Sequence, residues 1–171
     1  ANAVVGAMDA RYRSAGVAAA IGLPTSTARS APGGGLAQRF QYGGLYAAPG
    51  SGVAEVYGAI GRRYEALGAE SSALGLPTAT EQAGPVAGSR LQKFQRGTMY
   101  WSADSGAVEV LDPVKSRYDG IGGPASGLGM PVAPARSVAG GTVQAFQAGA
   151  IAVATTSTVS VLALRRPRIA R

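Results

Sequence analysis

Leu74-Gly75-Leu76-Pro77-Thr78 is the stretch from which the rest of this chain can be read. It returns, with apolar substitutions, as Ile21-Gly22-Leu23-Pro24 and Leu128-Gly129-Met130-Pro131, each copy about 53 residues from the next. An Arg-Tyr pair precedes each: Arg11-Tyr12, Arg63-Tyr64 and Arg117-Tyr118. A Phe-Gln-x-Gly run follows each, at Phe40 to Gly43, Phe94 to Gly97 and Phe146 to Gly149. Three signatures in one order, three times over, define tandem units that chance cannot produce. The units run over about residues 3–57, 58–112 and 113–164, as one domain spanning 1–164, with a basic tail at 165–171.

Within one unit the apolar spacing changes period. Ile60, Tyr64 and Leu67 fall on one face of a helix, as do Met8, Tyr12, Ala15 and Val114, Tyr118, Ile121. Helices are predicted at about 6–15, 58–67 and 113–120, with Pro113 tolerated at a helix start and Gly16, Gly68 and Gly122 as stops. Gly-x-Pro is an extended turn, because a residue before proline is pushed out of the helical region. Gly84 to Ser89 is expected to be loop. Strands then follow at Arg90 to Gln95, Thr98 to Ser102 and Ala107 to Leu111, with tight turns at Arg96-Gly97 and at Ala103 to Gly106. Gly43, Gly97 and Gly149 are expected to supply a positive φ. The predicted fold class is α+β: three pseudo-symmetric tandem repeats about a common axis. Each repeat is a short helix, a Gly-x-Pro turn and a small antiparallel β-meander. The third copy has Ala152 where Tyr46 and Tyr100 stand, and its last strand, Val159 to Leu162, is largely apolar. It is either covered by a neighbour or a degenerate terminal repeat.

Composition agrees with several small cores: 46% of the 171 residues are hydrophobic, yet aromatics make up 6% and glycines number 26. A net charge of +7 favours acidic partners, but the charges are scattered except in the tail. With neither cysteine nor histidine, disulfides, thiolate metal sites and the usual nucleophile–base pairs are excluded. The nine carboxylates include no marked pair, and no phosphate loop or metal-ligand spacing occurs. No enzyme, cofactor or metal is expected. No run is long enough for a membrane span, and residues 1–24 lack a signal pattern, so any export signal lies outside this chain. No helix-turn-helix, RNP-type aromatic pair or basic stripe points to nucleic acid.

The repeated tyrosines and Phe40, Phe94 and Phe146 are expected in the core. Arg11, Arg63 and Arg117 have two readings, as braces at helix ends or between units, or as one cationic site per repeat. Gln41, Gln95 and Gln147 either satisfy loop backbone or bond sugar hydroxyls. Alternation puts Met99 and Trp101 on one strand face and Thr98, Tyr100 and Ser102 on the other. One aromatic is therefore expected to point away from the buried face. Arg39, Gln41 and Tyr46, with Lys93, Gln95, Tyr100 and Trp101, then make a candidate platform for a sugar ring. Half-buried packing is the competing reading for the aromatics.

Leu74 to Thr78, with Phe94-Gln95-x-Gly97-x-Met99-Tyr100-Trp101 and Gly106 to Val110, resembles the LGFP repeat of actinobacterial cell-envelope proteins. The resemblance covers about residues 3–162, with Leu23, Leu76 and Met130 in place of the motif's phenylalanine. It implies a secreted, non-catalytic cell-wall-binding module that anchors an exported protein to the arabinogalactan–peptidoglycan layer. Such repeats sit beside catalytic domains such as mycoloyltransferases and peptidoglycan amidases, and longer arrays close into a disc. The implied partner is cell-wall polysaccharide, with a catalytic domain of the parent protein as a further one. The alternative is a structural or protein-interaction module. The third copy lacks the aromatic and the Gly-Ala-x-Glu features, and with them the features of a ligand site.

Overall fold

The computed structural model describes residues 2–154 and 159–163, so the tail at 165–171 lies outside the described residues. Every unit opens on a helix: α1 (Gly6–Tyr12), α3 (Gly58–Ala66) and α4 (Val114–Gly120). Gly16, Gly68 and Gly122 then turn the chain with left-handed φ, where side chains with a Cβ are strained. A second short helix, α2 (Val17–Ile21), follows in unit one, and single 3-10 turns take its place in the other two. The first helix therefore stops short of its predicted end.

Each unit closes with a four-stranded antiparallel meander. The first is β1 (Arg29–Ala31), β2 (Gly35–Phe40), β3 (Gly43–Ala48) and β4 (Gly52–Tyr57). The second is β5 (Gln82–Ala83), β6 (Arg90–Phe94), β7 (Gly97–Ser102) and β8 (Gly106–Leu111). The third is β9 (Arg136–Val138), β10 (Gly141–Phe146), β11 (Gly149–Ala154) and β12 (Val159–Ala163). Gly84 to Ser89 is loop as expected, while the edge strands β1, β5 and β9 are additions to the expected hairpin. They are two or three residues long and exposed except for the buried Ala31, and their pairing comes from β2, β6 and β10 rather than from an apolar pattern of their own.

The two-residue turns sit one residue earlier than predicted, since Phe94 pairs with Gly97, Phe40 with Gly43 and Phe146 with Gly149. Those glycines do not have positive φ. Close approach demands Gly43 and Gly97 instead: a Cβ on Gly97 would lie 2.8 Å from Leu74 Cδ2, Leu111 Cδ2 and the Val110 carbonyl oxygen.

Strand alternation holds, but both faces of the middle sheet are covered. Met99 joins Phe94, Tyr64 of α3, Leu74 and Leu76 in one core that also takes in Ala37, Tyr46 and Ala48 of the first sheet. Tyr100 and Val110 enter the next core with Val114 and Tyr118 of α4, Leu128, Met130, Phe146 and Ile151. α3 and α4, each with its Gly-x-Pro segment, are thus wedged between their own sheet and the preceding one. The rings interlock across the junctions. Tyr46 meets Tyr64 edge-on at 5.4 Å and Tyr100 meets Tyr118 at 5.8 Å. Within units, Tyr64–Phe94 and Tyr118–Phe146 pack at 4.8 and 4.4 Å.

Unit one's outward side has no such cover among the described residues. Tyr12 is half-buried where Tyr64 and Tyr118 are fully buried, and Leu23 is 64% exposed where Leu76 and Met130 are at most 1%. Burial of such a side chain contributes roughly 1.5–3 kcal/mol, so the junctions supply a large part of what holds the units together. No helix among the described residues is long and apolar enough to cross a membrane.

Candidate functional site

One arrangement is built three times around the repeated signatures. The motif glycine takes a left-handed φ, at +77° for Gly22, +70° for Gly75 and +68° for Gly129. Its carbonyl accepts a hydrogen bond from the helix tyrosine hydroxyl, 3.1 Å from Tyr12, 2.7 Å from Tyr64 and 2.6 Å from Tyr118. The next residue's N–H donates to the turn glutamine's Oε1: Leu23 to Gln41 at 2.9 Å, Leu76 to Gln95 at 3.0 Å and Met130 to Gln147 at 2.9 Å. The glutamine backbone N–H returns a bond to the carbonyl of that same residue. Of the two readings for Gln41, Gln95 and Gln147, satisfying loop backbone is therefore met in each, on a residue that is itself exposed.

The arginines of the first two Arg-Tyr pairs brace helix to strand within a unit, and not a helix end or the neighbouring unit as expected. Arg11 binds Glu55 bidentately at 2.6 and 2.7 Å, and Arg63 binds Glu109 at 2.9 and 2.7 Å. The hydrogen bond to its glutamate raises the pKa of each guanidinium. In unit three Val161 stands in the register of those glutamates opposite Ile151, and Arg117 is exposed with no carboxylate partner among the described residues.

Three glutamines not singled out by the motifs, Gln38, Gln92 and Gln144, are fully buried. Gln92 Nε2 donates to the Glu55 carbonyl at 2.9 Å and Gln144 Nε2 to the Glu109 carbonyl at 2.8 Å, tying each unit to the one before. In unit one the Ala3 carbonyl takes that place. Their signal was a glutamine recurring two residues before each repeated phenylalanine.

The structure separates the expected aromatic platform. Tyr46 is fully enclosed, and its hydroxyl lies 2.5 Å from Arg39 Nη1 and 3.0 Å from Glu65 Oε1. Arg39 is spent on that network: it also pairs with Glu65 and, at 3.1 Å, with Glu70, which Arg29 meets from the other side. Tyr100 is 5% exposed, and Trp101 is half-buried on the opposite face of β7. The expectation of an exposed ring failed because it took each sheet to have one buried face, whereas the next helix covers the second. Burial pushes the Tyr100 hydroxyl up to about 12 and those of Tyr46, Tyr64 and Tyr118 further up.

Open grooves remain where the hairpin tip of one unit meets the helix of the next. The groove between units two and three, about 400 Å³, brings together Lys93, Gln95, Thr98 and the edge of Tyr100 with Lys115 and Asp119 of α4. The matching groove between units one and two, about 450 Å³, is lined by Gln41, Tyr42, Gly61, Arg62 and Glu65. Tyr42 is 68% exposed and escaped the sequence reading because it fills the unspecified place in Phe-Gln-x-Gly. Both volumes fall in the range of small-ligand sites. No group of three or more acidic side chains gathers as a metal site among the described residues.

The LGFP repeat matches residues 21–72 and 74–126, well over half of the chain. The chain belongs to the LGFP repeat family. LGFP repeats are cell-wall-associated modules, and the family is a repeat family rather than a catalytic one. Each matched LGFP unit begins at the Gly-x-Pro segment and ends after the next helix, so it consists of one sheet plus the helix packed on its far face. A comparison with curated proteins returns no match.

Proposed function

We propose that this chain is a non-catalytic, extracellular wall-binding module that anchors an exported protein to the arabinogalactan–peptidoglycan layer. Its binding surface is the series of junction grooves. The observation that carries this reading is their recurrence: two junctions place a Gln-bearing turn beside a charged helix face, each around a groove of about 400–450 Å³. Amide and hydroxyl groups that both donate and accept suit sugar hydroxyls. We also propose that the units follow one another by a repeated rotation about a common axis over residues 1–164.

The test is co-sedimentation with insoluble arabinogalactan–peptidoglycan. Retention is expected, with only a mild decline as salt rises, because neutral sugars carry no charge to screen. Tyr42→Ala with Lys93→Ala, both exposed residues, is expected to weaken retention while leaving the fold intact. Failure to sediment, or loss of all retention between low and physiological salt, overturns the reading. Release of wall fragments by the pure chain overturns its non-catalytic part.

A second reading, packing against a partner or catalytic domain of the parent protein, draws on unit one. There Leu23 is exposed at a position that the other units bury, and Val5 and Leu36 are exposed as well.

A further inference from the structure

Unit two departs from its neighbours at one place on the edge of the first junction. Tyr57, Glu81, Arg90 and Trp101 line a cleft of about 320 Å³ beside the first turn of α3. Tyr57 ends β4, Glu81 immediately precedes β5, and Arg90 of β6 is the cross-strand partner of Trp101 in β7. The repeat supplies its own control. The equivalent positions hold Val5, Ala28, Leu36 and Ala47 around unit one, and Leu111, Ala135, Thr142 and Val153 around unit three. The register confirms the equivalence, since Leu36 pairs with Ala47 and Thr142 with Val153. A shared backbone thus carries small or aliphatic side chains, and one threonine, on unit one's outward side and at the second junction, and two aromatics with an ion pair at the first.

Those four side chains define a ligand chemistry. Trp101 and Tyr57 are half-buried, each leaving apolar ring surface to the cleft. Glu81 Oε1 lies 3.7 Å from Arg90 Nε, beyond hydrogen-bond reach, so both groups keep capacity for another partner. Burial raises the Glu81 carboxyl above its ordinary range against the opposing pull of Arg90, as befits a group withdrawn from water. A charged ligand would meet one like charge, and a purely apolar one would strand the pair without partners. A neutral ring with a C–H face and adjacent hydroxyls satisfies ring and ion pair together.

We propose that this cleft binds one neutral sugar ring of a wall polysaccharide, stacked on Trp101 with vicinal hydroxyls on Glu81 and Arg90. This rests on the wall-binding reading and adds to it a subsite apart from the hairpin-tip grooves, present once rather than at every junction.

Trp101 is the chain's single tryptophan, so its emission reports on this cleft alone. The probes are soluble arabinan and galactan oligosaccharides, titrated against the whole chain. A saturable change in tryptophan emission is expected, weakened about tenfold in Glu81→Gln and in Arg90→Ala at unchanged thermal midpoint. Wall sedimentation is run in parallel on the same variants. Retention of the parent on walls, with silent emission and variants that sediment like the parent, overturns the subsite and leaves wall binding standing. A saturable emission change in a chain that walls do not retain overturns wall binding and keeps the subsite. If neither is seen, both fall.

Discussion

At Gly75 two constraints meet, and the chain contains the control that separates them. Gly75 and Gly50 have nearly the same left-handed φ, +70° and +74°. A Cβ on Gly50 would meet nothing within 4 Å, whereas one on Gly75 would lie 2.6 Å from Gln95 Oε1, the acceptor for the Leu76 N–H. Gly50→Ala is expected to cost the backbone strain alone, about 1–2 kcal/mol. Gly75→Ala adds a displaced glutamine and an orphaned buried N–H, for a total of roughly 2–4 kcal/mol. Urea denaturation of the two variants checks the difference. The buried tyrosines set a second expectation. An unfolded tyrosine ionises near 10, and Tyr100 in the fold only near 12, so the fold binds the proton more tightly. The stability this represents is fully present below about pH 10 and is lost as pH rises through 12. Tyr46, Tyr64 and Tyr118 act in the same direction. A thermal midpoint that stays flat between those limits would contradict the burial.

Among elements, the helix-to-strand brace shows what one lost partner does. Glu109 is 7% exposed and held by two hydrogen bonds from Arg63. Arg63→Ala leaves that carboxylate unpaired and is expected to destabilise by about 1–2 kcal/mol, an amount moderated by the partial exposure of the arginine. Arg117→Ala, at the equivalent place on α4, is expected to change stability by less than about 0.5 kcal/mol, because Val161 occupies the glutamate's register. A thermal-shift comparison of the two variants decides it. The helix that follows each of the first two sheets is also what encloses Tyr46 and Tyr100. Period-2 alternation reports which residues share a face, and that assignment was correct, but it cannot report what lies on that face.

Over the whole molecule, stability is shared at junctions that differ in kind. Units one and two are joined by Arg39 and Arg29 on Glu70, by Arg39 on Glu65, and by Gln92 on the Glu55 carbonyl. At the next junction Pro124 stands in the place of Glu70, and Lys93 in the place of Arg39. Hydrogen exchange should therefore show the amides of β10 and β11 opening at a lower free energy than those of β2, β3, β6 and β7. Equal protection throughout would mean that the apolar cores alone set the cooperativity. Arg39→Ala should narrow the gap by loosening the first junction.

The sequence by itself determined the period, the order of helix, Gly-x-Pro segment and hairpin, and the place of Tyr64, Tyr118, Phe40, Phe94 and Phe146 in the core. All of these rest on local geometry that repeats wherever the residues repeat. Arg11 or Gln95 could be singled out for the same reason, as recurring polar residues in fixed places. Which of their two roles they take depended on partners 44 and 19 residues away in the chain. The edge strands, the burial of Tyr46 and Tyr100, the glycines held by close approach and the gathering of Tyr57, Glu81, Arg90 and Trp101 came only with tertiary structure. Each is a contact between segments of different units or different strands, and the spacing of residues along one segment carries no record of what packs against it.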